Sequence, residues 1–157
     1  MPTTSRAFTK ASFASLVVGS VLGALLLVNR WLCLGPVLTS LRVSHIPFRV
    51  VGWLTQLILG VAWWLFPPLA WGRRPGEPTP VLRGQAQRGH EPLFWITFAS
   101  LNTGILLRAL FSPLSSLLPM QVFATLSNVA DLFLVAAAIA FVVNIWKRVR
   151  KHGRSKR

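Results

Sequence analysis

The chain has 157 residues, of which 53% are hydrophobic and 13% charged, and 17 Lys and Arg against three Asp and Glu give a formal net charge of +14. A soluble domain carries about 25% charged residues, so this composition, with a mean hydropathy of +0.56, argues against a soluble enzyme, a disordered tail or a disulfide scaffold. The single cysteine, Cys33, closes no internal bridge and joins no Cys/His cluster for zinc, and the basic residues lie mainly outside long apolar runs, where they orient a membrane protein; no nucleic-acid partner is expected.

Residues 1–10, with Arg6 and Lys10, read as a short cytoplasmic stub. A bilayer core ~30 Å thick needs roughly 20 apolar residues of helix. Ala11 to Asn29 is charge-free and closed by Arg30, which predicts a first span over 11–33. Its start is basic like a signal peptide, but Asn29-Arg30-Trp31 stands where a small-x-small cleavage site would be needed, so the span is expected to remain. Gly35-Pro36 marks a turn, and Val50 to Gly72 is charge-free again, predicting a second span over 45–69. Residues 72–92 hold four prolines and four glycines and read as an irregular loop. Leu93 to Phe111, interrupted only by Arg108, predicts a third span over 93–112. The stretch 119–146, broken only by Asp131, predicts the fourth, and residues 147–157 form a basic cytoplasmic tail suited to anionic lipid headgroups.

The expectation is therefore an all-α integral membrane four-helix bundle. Its single membrane domain covers 11–146. Orientation follows from the short flanks, because cytoplasmic flanks retain Lys and Arg. The stub, the middle loop and the tail share one face and hold thirteen basic residues, against Arg30, Arg42 and Arg49 on the other. Both termini are thus expected in the cytoplasm of a multi-pass cell-membrane protein. Trp71, Trp95 and Trp146 at the cytoplasmic ends, and Trp31 at the outer end of the first span, suit an interfacial aromatic belt.

Within the spans, Ser15, Gly19 and Gly23 recur every four residues on one face of the first helix, a stripe that lets another helix approach closely. Ala99, Ser100, Thr103 and Gly104 in the third span, with Ala124, Ser127 and Ala138 in the fourth, suggest further close packing. Arg108 and Asp131 are the two intramembrane charges, each costing roughly 2.5–3.5 kcal/mol to insert alone. With the predicted boundaries their depths differ by roughly 10 Å at 1.5 Å per residue. They could form a structural charge pair, or Arg108 could reach outward to water over a protonated Asp131. A third reading makes Asp131 a proton-relay carboxylate, with Ser127 and Asn128 as its obvious neighbours.

In the second span, His45, Gly52, Gln56 and Trp63 fall within ~20° of one line at 100° per residue. Neutral imidazole is a good axial ligand for haem iron, a glycine below it leaves room for a flat macrocycle, and Arg49 could meet a propionate. An interfacial histidine with Gly52 serving helix packing is the plainer reading of the same spacing. The stretch His45-x6-Gly52-Trp53, followed by Thr55-Gln56, Gly60-Val61-Ala62 and Phe66-Pro67, resembles the second helix of haem-copper oxidase subunit I. More closely it is similar to small bacterial subunit I-like membrane proteins, as is the segment Leu101 to Arg108. The resemblance implies His45 as the haem-iron ligand near the outer surface. It also implies a non-catalytic subunit or an assembly and interaction protein, with haem as the candidate cofactor and a bacterial-type inner membrane as its setting. Pro47 stands where the short proteins have a second histidine, so a haem would be five-coordinate or shared across a subunit interface. The shared case would place the chain in a homo-oligomer or a larger membrane complex. The alternative is a small proton-linked transporter subunit using Asp131. No nucleophile–base pair or phosphate loop points to an enzyme.

Overall fold

A computed structural model of the chain describes residues 2–65, 90–118 and 120–149, with side chains up to Trp146. These residues are helical almost throughout. The elements are α1 (Thr3–Leu32), α2 (Pro36–Ser40), α3 (Arg42–Pro47), a π-helical stretch (Phe48–Thr55), α4 (Gln56–Leu65), α5 (Glu91–Leu117) and α6 (Gln121–Val149). From α2 to α4 the chain runs on as one rod, so four helices, Thr3–Leu32, Pro36–Leu65, Glu91–Leu117 and Gln121–Trp146, are long and apolar enough to cross a membrane. At 1.5 Å per residue, rods of this size reach about 40–45 Å, the thickness of a bilayer with its headgroups. The end of the second span beyond Leu65, Trp71, the 72–89 part of the middle loop, Pro119 and the 150–157 part of the tail lie outside the described residues.

Helix α1 starts at Thr3 instead of Ala11, so the expected stub is helix. The reason lies in tertiary contacts. Thr4, Ser5, Phe8 and Ser12 are buried, and Phe8 stacks on Phe94, with ring centroids 4.4 Å apart. Phe94 in turn stacks on Trp63 at 4.1 Å. This aromatic sandwich joins α1, α4 and α5 at one end of the molecule, while Arg6 and Lys10 stay exposed. At the other end α1 closes on Cys33, whose left-handed backbone (φ 50°) returns its N–H to the Asn29 carbonyl. The Asn29 side chain then accepts from the Gly35 N–H and donates to Thr39, fastening the turn into the second rod.

Helix α5 runs through Pro113 to Leu117, past the expected end at 112. A proline within a helix has no N–H and leaves the carbonyl four residues back without its donor. That carbonyl belongs to Ala109, and the Ser44 hydroxyl of α3 donates to it at 2.6 Å. Ser44 is almost wholly buried at 3% exposure, so a side chain on one rod repairs the backbone of another.

Helix α1 packs antiparallel on the second rod, which packs on α5, and α5 lies along the whole of α6. The backbone of α6 has α5 as its main neighbour and scarcely approaches α1 or the second rod. The arrangement is a row rather than a closed square, and it leaves an open groove between the second rod and α6.

Candidate functional site

The predicted stripes of the first and second spans meet face to face. A side chain on Gly52 would begin 2.8 Å from Ser15 Cβ and Oγ, and one on Gly19 would begin 3.1 Å from the Arg49 methylenes. One on Gly23 would begin 2.8 Å from His45 Cε1, with both ring nitrogens within 3.6 Å. Ser15 therefore seats Gly52, Gly19 seats Arg49, and Gly23 seats the imidazole of His45. Such close approach supplies the van der Waals contact that holds helices together in lipid. Further along the same line, Gly60 lies against Phe8, where an added Cβ would be 2.8 Å from Phe8 Cβ.

The wide turn between Phe48 and Thr55 sets this register. It follows Pro47, and the Gln56 N–H reaches back five residues to the Val51 carbonyl as well as three to Trp53. Buried positions accordingly step by five from Pro47 to Gly52, then by four through Gln56 to Gly60. A π turn is an uncommon feature in a helix and is often found where a particular side chain must be aimed.

His45 Nδ1 lies 2.7 Å from the Gly19 carbonyl. A carbonyl only accepts, so Nδ1 carries the proton and a neutral ring keeps its lone pair on Nε2. Metal-bound histidines commonly donate their other N–H to a backbone carbonyl in this way. The rest of the face does not suit a haem. The clearance expected at Gly52 is taken by Ser15, with Ile105 3.6 Å from the same point. The His45 ring itself lies over Gly23, and the Arg49 stem is spread on Gly19. A macrocycle between these two helices would have to separate them.

Arg108 and Asp131 form an ion pair between α5 and α6. The extension of α5 to Leu117 removes the expected difference in depth. Arg108 is nine residues from that helix end and Asp131 ten residues from the start of α6, or about 13.5 and 15 Å. The register is fixed on either side by the Ser112–Ser127 hydroxyl bond at 2.8 Å and by Gly104, which lies against Leu134 and the Ala130 carbonyl. Among the other small residues, Gly104 and Ser127 make the expected interhelical contacts, whereas Ala99, Thr103, Ala124 and Ala138 face outward.

The side chains of the pair remain 33% and 49% exposed, because they border the open groove. The groove has a volume of about 570 Å³ and is lined by Arg42, Val43, Ile46, Pro47, Val50 and Val51 of the second rod, with Arg108, Asp131 and Leu134 opposite. Arg42 was read from sequence only as a flank charge. Its place at the groove depends on α5 and α6 and has no local signature.

A second polar contact also escaped the sequence reading. Gln56, with no exposed surface, donates from Nε2 to Asn102 Oδ1 at 3.3 Å, and Asn102 donates to the Phe98 carbonyl at 2.8 Å. The Gln56 oxygen has no hydrogen-bond partner. The second rod and α5 thus meet here, and again where Ile105 lies beside Gly52. Asn128 differs from both: it is exposed on α6.

No protein family, curated protein or solved structure matches this chain. Among the described residues, no group of three or more His, Cys, Asp and Glu could hold a metal ion.

Proposed function

We propose that this chain is a non-catalytic membrane protein, a structural subunit or assembly factor that docks onto a larger membrane complex through the outer face of α6. The observation that carries this reading is the outward amide of Asn128, seven residues into α6 and exposed. Seven residues correspond to about 10 Å of depth, where water is scarce and an unpaired amide costs several kcal/mol. A neighbouring transmembrane helix satisfies such a group, with a gain of about 0.6–2 kcal/mol per interhelical hydrogen bond. Ala124, one turn away on the same exposed side, keeps the approach open.

In this reading the likeness of the second span to the oxidase helix is a likeness of packing. His45, Arg49 and Gly52 are engaged with Ser15, Gly19 and Gly23, and haem is not required. Asp131 is engaged with Arg108, which leaves a proton relay without its carrier. The reading includes four membrane crossings with both termini in the cytoplasm, supported by the thirteen-to-three division of Lys and Arg; a C-terminal reporter active only outside the cytoplasm would overturn that orientation.

Extraction in a mild detergent followed by native electrophoresis tests the docking. The wild-type chain is expected in a species larger than a monomer, and Asn128→Leu is expected to release the monomer while remaining inserted. A wild-type chain that is monomeric at every concentration and detergent, indistinguishable from Asn128→Leu, would contradict the proposal.

A further inference from the structure

We infer that the groove between the second rod and α6 seats one anionic phospholipid, its phosphate on Arg42 and an acyl chain along Val43, Ile46, Val50 and Leu134. The inference rests on membrane insertion of the four helices but not on the docking of α6.

Charge is the first argument. The groove is lined by two guanidinium groups and one carboxylate, and that carboxylate, Asp131, is paired with Arg108. Arg42 is exposed and has no carboxylate within ion-pair distance among the described residues. The lining therefore carries one uncompensated positive charge on a planar fork that suits phosphate oxygens.

Depth is the second. Rods of about 40–45 Å in a bilayer with a hydrocarbon core of ~30 Å place the hydrocarbon boundary about 5–7 Å inside each helix end. Arg42 is six residues from the Pro36 end of its rod, about 9 Å along, so its long side chain reaches the headgroup level. From Arg42 the groove wall runs inward through Val43, Ile46, Pro47, Val50 and Val51, which is the direction an acyl chain takes. On this wall the cation comes first and hydrocarbon after it, with the neutralised Arg108–Asp131 pair on the opposite wall, an order that matches an anionic amphiphile. Size agrees with one seated acyl chain, since about 570 Å³ falls in the range of roughly 300–1,000 Å³ that holds one small ligand, and the second chain stays in the bilayer. A packed transmembrane helix, with a diameter of about 10–12 Å along the full rod, would need far more.

The test is native mass spectrometry of the full chain released from nanodiscs made of equal phosphatidylglycerol and phosphatidylcholine. The wild type is expected to retain one phosphatidylglycerol per chain. Arg42→Gln should lower that occupancy at least tenfold, and Ile46→Trp should abolish it by filling the groove without touching a charge. Arg30→Gln, which removes an exposed cation at the same end of the molecule but outside the groove lining, should leave occupancy unchanged. Because the basic tail is present in all four proteins, loss in the two groove variants separates this site from headgroup binding by the tail. Equal retention of phosphatidylcholine, or full occupancy in both Arg42→Gln and Ile46→Trp, would overturn the inference. So would a retained polypeptide in place of a lipid, which would assign the groove to a partner helix.

Discussion

Replacing Gly52 with alanine places a methyl group 2.8 Å from Ser15 Cβ and Oγ and 3.6 Å from Ile105 Cδ1. Cβ atoms essentially never approach another heavy atom within 3.0 Å, so either α1 moves off the second rod or Ser15 changes position. Neither is easy, because Ser15 is 8% exposed and α1 is held on the same side by Gly19 and Gly23. Overpacking of this kind costs about 1–3 kcal/mol, and the better helix propensity of alanine returns up to about 1 kcal/mol. The net expectation is a loss of about 1–2 kcal/mol. Removing the opposing side chain should relieve it. Ser15→Gly combined with Gly52→Ala is expected to recover about 1 kcal/mol beyond additivity, as contacting pairs do in double-mutant cycles. The measurement is reversible unfolding in mixed micelles, followed by the fluorescence of the seven tryptophans. Gly52→Ala without loss of stability, together with additive behaviour of the double variant, would refute the packing of these stripes and reopen the face for a bound group.

The ion pair is tested in the same way. Asp131→Asn and Arg108→Gln should each cost about 1–3 kcal/mol, below the ~3–5 kcal/mol of a fully buried pair because both side chains border the groove, and the double variant should cost less than the sum; strict additivity would mean that the two do not support each other. For Pro113, Ser44→Ala should cost about 1–3 kcal/mol by leaving the Ala109 carbonyl without a donor. Pro113→Ala restores a backbone N–H at that point, so the Ser44→Ala loss should largely vanish in its presence, and an equal loss in both backgrounds would count against the repair.

Four rods were legible because charge-free runs of the right length have few other uses in a chain of this composition. Their ends were not. The start of α1 at Thr3 depends on Phe8 meeting Phe94 and on Gly60 admitting α1, contacts across more than fifty residues that leave no apolar run at residues 3–10. Pro113 looked like a terminus because a proline breaks its own helix locally, and the Ser44 hydroxyl that compensates it lies 65 residues from the Ala109 carbonyl it serves. The same extension brings Arg108 level with Asp131, which is why a pair expected to be offset in depth is formed.

The two stripes illustrate a different limit. Ser15, Gly19 and Gly23 were readable as a packing surface, and His45, Arg49 and Gly52 as a line of chemically capable residues. A periodic pattern shows which residues share a face but not what that face meets. Here each stripe is the other's partner, and the glycine that suggested room for a macrocycle provides room for a serine. Gln56 was visible on the stripe of the second span, but its bond to Asn102 joins residues 46 apart and has no local signature.

The His45 face of the second rod is closed by α1, and this closure serves packing. It is tested most directly by the visible absorption spectrum of the protein purified in mild detergent from a haem-replete host. No Soret band is expected, and His45→Ala should leave the spectrum unchanged. A Soret band at one haem per chain that disappears in His45→Ala would contradict it.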